Sequence, residues 1–293
     1  MALAALLREF CQKNRIELHL LTVDHGLRAE SGAEAKQVRE WVKAWDCCIH
    51  KILKWQGEKP SARIQEAARE ARYALMTAYC KRHKIDHLFL AHHADDQIET
   101  FLFRLAKGSG IDGLAGMPEK QERDGVVLVR PCLNYMHEEM LEFCRRNNIP
   151  WIEDPSNQSE KYARTRLRNS REVLAKEGLT GERISMLSKR MERMREALNH
   201  MADQSWQDAI TIAEKKHIEF DARTFQSCPE EIGLRLLQRA LSQVGGARKY
   251  PASLQKLEEI VSEIRLEKFK AATLANCIIR LKKSRNRIEI IPE

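Results

Sequence analysis

The chain has 293 residues, 43% hydrophobic and 31% charged, a length suited to about two domains of roughly 100–200 residues each and a balance that excludes a disordered chain. No apolar run reaches the roughly 18–20 residues needed to cross a bilayer, Met1–Leu7 is too short for a secretory segment, and eight cysteines without a CxxC pair read as reduced thiols in a cytoplasmic enzyme. The net charge of +8 is uneven, with 23 Lys/Arg against 21 Asp/Glu in residues 1–150 and 27 against 21 in residues 151–293. Within Lys161–Arg195 stand 11 basic and 4 acidic side chains, a pattern that suits either a polyanion footprint or a solvated helix face.

In chain order, Ile16–Val23 reads as a strand ending in Asp24-His25-Gly26. Ser31 and Glu34 have capping-box spacing and open a helix to about Trp45. Cys48–Trp55 is a second strand, and Ala62–His83 a long helix with Ile64, Ala67, Ala68, Ala71 and Leu75 on one face. Asp86–Ala91 is a short apolar strand of the kind buried on both faces. A helix over Gln97–Lys107, a strand at Val126–Val129 and a helix over Met136–Asn147 complete an alternation that predicts a doubly wound parallel sheet. Beyond Pro155 the texture changes: residues 165–243 are helix-compatible without a convincing strand, and the tail at Asn276–Leu281 and Arg287–Ile291 suggests a hairpin. The expected fold class is therefore α/β, with residues 1–157 as a catalytic domain and residues 158–293 as a basic helical domain carrying a small β tail.

The densest chemistry lies in Ala91–Thr100, AHHADDQIET, at the carboxyl end of the Asp86–Ala91 strand, the edge of an open parallel sheet where ligands bind. Asp96 and Glu99, three residues apart on a helix, share a face and can hold a hard cation or a substrate ammonium. His92 is placed to touch a phosphate or accept a proton, and the plainer role for the acids is to favour a helix N-terminus. The spacing matches neither HExxH nor HxxEH, which argues against a metallohydrolase. Gly108–Gly113 satisfies GxGxxG but follows a helix, so it reads as a helix end and a loop beside the site. Arg69 and Arg72 lie three apart and suit an ion-pair face with Glu66 and Glu70; Arg164, Arg166 and Arg168 alternate in a manner suited to phosphate wrapping.

The runs VDHGLR (23–28), EAAREARY (66–73), AHHADDQIET (91–100), KGSGIDGLAGM (107–117), RPCLNY (130–135) and WIEDPSN (151–157), followed by RTRLR (164–168), occur in this order. Together they resemble the tRNA(Ile)-lysidine synthetase family of PP-loop (N-type) ATP pyrophosphatases. The resemblance implies ATP-dependent adenylation of the wobble cytidine in tRNA(Ile) with a CAU anticodon. Free L-lysine then displaces AMP to give lysidine, pyrophosphate being the other product and Mg2+ bridging the phosphates. It further implies catalytic roles for Arg72, His92, Asp96, Glu99 and Arg164. ATP contacts fall to Val23, Asp24, His25 and His92, lysine binding to Asp96 and Glu99, tRNA contacts to Arg166 and Arg168, and a metal to Asp95.

One departure bears on activity. The family's Ser-Gly-Gly-x-Asp-Ser loop is not in this sequence, and the expectation is a chain that starts just past it, lacks the first strand and has little ATP-dependent turnover. Two other readings follow: a non-catalytic tRNA-binding remnant, and a tRNA-thiolating member of the same superfamily, which commonly needs paired cysteines where this chain has only the vicinal Cys47-Cys48.

Overall fold

The structure is a computed structural model that describes residues 1–57, 59–60, 62–153, 166–167, 170–246 and 253–293. It divides into two compact units, Met1–Arg190 and Met191–Glu293. The division falls inside one long helix, α8 (Gly181–Ala209); the boundary expected at 157/158 lies outside the described residues.

In the first unit, α1 (Ala2–Asn14) leads into β1 (Leu18–Asp24), which runs parallel to β2 (Cys48–Lys54) with Leu18 opposite Cys48 and Asp24 opposite Lys54. The crossover helix α2 (Ser31–Val42) is the kind of connection a parallel pair requires. The capping box expected at its start does not form. Ser31 Oγ instead donates to Asp24 Oδ1 (2.7 Å) and to the Arg28 carbonyl (3.1 Å), while Glu34 accepts from Arg28 Nη2 (3.1 Å). Ser31 is thereby used to hold the turn that leaves β1.

Helix α3 (Ile64–Arg82) buries Tyr73, Met76, Tyr79 and Cys80, whereas the expected stripe lies only half-buried, with Ile64 exposed. The larger side chains win the interior because they remove more apolar surface from water than alanine methyls do. Next come β3 (His87–Phe89), α4 (Ala94–Leu105) and the short α5 (Ile111–Leu114). A hairpin of β4 (Lys120–Arg123) and β5 (Val126–Val129) follows, and then α6 (His137–Arg146). The hairpin turns on Asp124 (φ 53°) and Gly125 (φ 74°), a two-residue loop whose positive φ values match strand twist.

The strands of this unit form two sheets, β1-β2 and β3-β5-β4, not one. β3 pairs with β5 in parallel, Phe89 opposite Val129, and its burial alternates, with Leu88 buried but His87 and Phe89 exposed. The sequence reading of a strand covered on both faces is corrected here: Leu88 is buried, but His87 and Phe89 on the other face are exposed and border a cavity of about 1290 Å3 lined by residues of both β1 and β3.

The short α7 (Arg171–Lys176) precedes α8. The second unit is less helical than expected. It contains a five-stranded antiparallel sheet in the order β6-β7-β10-β9-β8, formed by β6 (Ile210–Glu214), β7 (His217–Asp221), β8 (Ala271–Leu274), β9 (Cys277–Lys282) and β10 (Arg287–Pro292). The expected tail hairpin is β9-β10, with Ile279 opposite Ile290. Three helices accompany it: α9 (Ala222–Ser227), capped by Asp221 through the Thr224 N–H (3.0 Å), α10 (Glu230–Gly245) and α11 (Leu254–Arg265). One face of the sheet supplies Ile218, Phe220, Ile279, Ile288 and Ile290 to a continuous core with Leu236, Leu237 and Val261.

Candidate functional site

The site forms where β3 ends. The Leu90 N–H bonds to the Val129 carbonyl (2.8 Å), and the chain then turns through Ala91-His92-His93 into α4. Asp96 Oδ2 accepts the His93 backbone N–H (3.0 Å), satisfying a donor at the start of the helix and placing an acid at its positive end. The His93 ring lies 3.6 Å from Asp95, 3.5 Å from Asp96 and 5.1 Å, centre to centre, from the His137 ring.

Asp95 is buried and bonded through both oxygens. Its Oδ2 accepts the backbone N–H of His137 at the start of α6 (2.8 Å), and its Oδ1 is held by Arg171 at the start of α7. Burial alone would raise its carboxyl, but the His137 N–H and Arg171 overcome that and hold it below the usual carboxylate range. Each oxygen of Asp95, the residue expected to hold a metal, thus carries one contact in a clamp that joins three helix starts.

The polar end of the cavity is built from Val23 at the end of β1, Arg69 and Arg72 on α3, and Ala91, His92 and Asp96 at the β3–α4 turn. Arg69 and Arg72 stand over the Tyr73 ring, 5.2 and 5.7 Å from its centroid. A third guanidinium, that of Arg123, packs on the same ring at 4.5 Å and pairs with Glu70 (2.5 Å), taking the partner expected for the α3 arginines. His92 is pushed down to about 4, chiefly by burial; Asp96 opposes the shift, while Arg69, Arg130 and Arg72 add to it. Its imidazole is accordingly neutral at pH 7, and Nδ1 is shut off from solvent without a hydrogen-bond partner.

Arg130, to which the sequence reading gave no role, is buried at the end of β5, donating to the Pro118 carbonyl (2.7 Å) and Gln121 Oε1 (2.9 Å). Its sequence signals are a charge placed directly after an apolar strand and its place at the head of the run RPCLNY. Gln97 was missed as well: it exchanges two 2.7 Å hydrogen bonds with the backbone of Met117 and so pins the glycine-rich loop to α4. Gly116 permits this approach, since φ is +75° and a Cβ there would lie 2.7 Å from Gln97 Oε1.

The remaining expected residues separate. Asp24 accepts from Ser31 Oγ and from the Gly26 N–H (3.1 Å), which with neighbouring Lys54 and His25 keep its carboxyl low against the opposing effect of burial. His25 Nδ1 accepts the Leu27 N–H (3.0 Å). Glu99, one turn beyond Asp96, is buried in α4 and is not among the cavity-lining residues. Arg166 is exposed, its carbonyl accepting from Ser170 Oγ (2.9 Å); Arg164 and Arg168 lie outside the described residues.

A family profile described as a PP-loop domain matches residues 1–175. Two curated relatives are both described as tRNA(Ile)-lysidine synthase. That of Rhodopseudomonas palustris is 38% identical over 286 residues, covering 94% of this chain and 81% of the relative. That of Wolbachia pipientis wMel is 36% identical over 278 residues, covering 94% and 64%. The chain thus spans less than two thirds of the Wolbachia protein, as it does of the Ruegeria pomeroyi relative, at 65%. Among solved structures, the U34-tRNA thiolase NcsA of Methanococcus maripaludis, with its 4Fe–4S cluster, superposes with a TM-score of 0.55 at 16% identity over 67% of this chain and 68% of that one. At that identity the likeness shows the fold alone.

Proposed function

The chain belongs to the tRNA(Ile)-lysidine synthase family of PP-loop proteins, and from that premise we propose that its protein ligates free L-lysine to the wobble cytidine of tRNA(Ile) bearing a CAU anticodon. The observation that carries the reading is Asp96: a carboxylate at the cavity's polar end, beside two guanidiniums and a neutral imidazole. Few reactions need an acid to hold an ammonium within reach of cations that hold a phosphate; joining an amine to an adenylated base is one.

ATP, when bound, supplies the adenylyl group that activates the cytidine and leaves as AMP after pyrophosphate is released. Arg69 and Arg72, which line the cavity beside Asp96, offer forked donors to phosphate oxygens. Asp96 holds a lysine ammonium, with Glu99 behind it in the same helix. His92 carries no charge to repel that ammonium, and its neutral imidazole offers a hydrogen-bond acceptor beside it. Mg2+ would rest on substrate phosphates and at most one or two carboxylates, as this ion commonly does, with Asp95 offering the lone pairs that its clamp leaves open. The basic stretch 161–195 would hold tRNA phosphates and so fix orientation without reading sequence.

The thiolating reading is disfavoured, because among the described residues no three cysteines converge at ligand distance. The test is nucleoside mass spectrometry of a tRNA(Ile) transcript incubated with ATP, Mg2+, L-lysine and a protein that carries this chain joined to a Ser-Gly-Gly-x-Asp-Ser segment, without which little turnover is expected. Lysidine at the wobble position that requires lysine and falls roughly 10–100-fold in Asp96→Asn, the loss of about 1.5–3 kcal/mol for a hydrogen bond to a charged group, bears the proposal out. Sulfur incorporation, or full activity of the variant, overturns it.

A further inference from the structure

Far along the chain from this site, the polar face of the second unit's sheet carries an ionic cluster for which lysine ligation has no use. His217 and Glu219 are two residues apart on β7 and so project from one face. Glu289 on β10 is the register partner of Glu219 and shares that face. The His217 Nε2 lies 3.4 Å from Glu219 Oε1 and 3.4 Å from Glu289 Oε1. Both carboxylates are well shielded, their side chains 13% and 9% exposed, and Nε2 is closed to solvent yet makes no hydrogen bond of acceptable geometry.

We propose that His217, Glu219 and Glu289 form a binding site for a divalent transition ion of the zinc class. Ligand atoms held roughly 2.0–2.1 Å from a tetrahedral zinc lie about 3.3–3.4 Å from each other, the spacing Nε2 already keeps from both carboxylate oxygens. The donors sit on two paired strands, so their spacing is set by the ladder and not by loops. One imidazole and two carboxylates leave a fourth position for water and suit zinc better than calcium, which prefers six or more oxygens.

Lys282 on β9 is the competitor. Its Nζ lies 2.5 Å from Glu289 Oε1 and 3.8 Å from Glu219 Oε1, so one ammonium serves two shielded carboxylates. Its side chain is a third exposed and can swing to solvent as the ion enters. Arg280, the β9 register partner of Glu289, also lies on this face as a second positive charge. The ion would stitch β7 to β10 and rigidify the sheet.

The test uses the full chain, cleared of metal with a chelator and titrated with Co2+ and then Zn2+. The expected result is one equivalent of Co2+ with the visible absorption of a low-coordinate nitrogen–oxygen site, displaced by Zn2+. His217→Ala should weaken binding at least about 100-fold, beyond the 10–100-fold seen on losing groups that only orient ligands. Lys282→Met, which removes the competing cation and no ligand, should tighten binding several-fold. Circular dichroism of each variant, with Glu219→Gln as a second ligand substitution, separates ligand loss from misfolding. An absent Co2+ signal overturns the proposal, as does a sulfur charge-transfer band that survives in His217→Ala, which would assign the ion to cysteines. Unchanged affinity in Lys282→Met does the same, for it would leave the cluster a lysine–glutamate network and nothing more.

Discussion

The two units handle their interiors in opposite ways. In Met191–Glu293 a continuous five-stranded sheet lays one apolar face against helices, and isoleucines from three strands vanish from solvent in a single core. In Met1–Arg190 the strands fall into two sheets, the buried apolar residues form separate smaller groups, and a large cavity stands beside strands with only one neighbour each. The difference teaches where chemistry has room. A closed core stabilises and leaves no space, whereas the first unit gives up packing around a cavity whose lining includes Arg69, Arg72, His92 and Asp96.

That contrast can be broken most forcefully by paired truncations. Phe220 is fully buried with the Trp206 ring edge-on at 5.2 Å, and Phe220→Ala should cost about 3–5 kcal/mol. Leu21 is half-buried and already borders the cavity, so Leu21→Ala should cost only about 1 kcal/mol, part of the transfer value of a leucine. Denaturant unfolding of each variant checks this; equal costs would mean that the cavity is closed in solution.

A smaller effect sharpens the electrostatic half of the comparison. The folded-state pKa of Asp95 is depressed, so its contribution is present above the ordinary aspartate value of about 3.9 and is lost as pH falls through the lower folded value. Asp95→Asn should cost about 1–3 kcal/mol at pH 7, the worth of its charged hydrogen bonds with Arg171 partly open to solvent. The variant should also flatten the acid limb of stability in that window. Urea midpoints measured from pH 2 to 7 read both; an unaltered acid limb would deny the clamp.

Much of the first unit was legible because its strands and helices announce themselves by period and because AHHADDQIET packs its chemistry into ten residues. What stayed hidden was contact made across the chain. Nothing local tells that Asp95 will meet Arg171 and the His137 N–H, or that Ser31 will turn back to Asp24 instead of capping α2. The hairpin at Asp124-Gly125 had a readable turn signal, and the alternation of Ile218 and Phe220 in β7 was present but masked by helix-compatible flanks. The β8–β9 turn at Ala275-Asn276, with φ 66° and 53°, uses an alanine where sequence rules look for glycine or asparagine, so β8 gave no warning.

The most direct test of the central claim is calorimetric titration of the chain with L-lysine, with L-arginine and L-glutamate as controls, in wild type and in Asp96→Asn. The account predicts saturable binding selective for L-lysine that weakens roughly 10–100-fold in the variant, in keeping with a lost charged hydrogen bond. Binding that is equal in both proteins, or indifferent to which amino acid is offered, would contradict the assignment of Asp96 to the lysine ammonium.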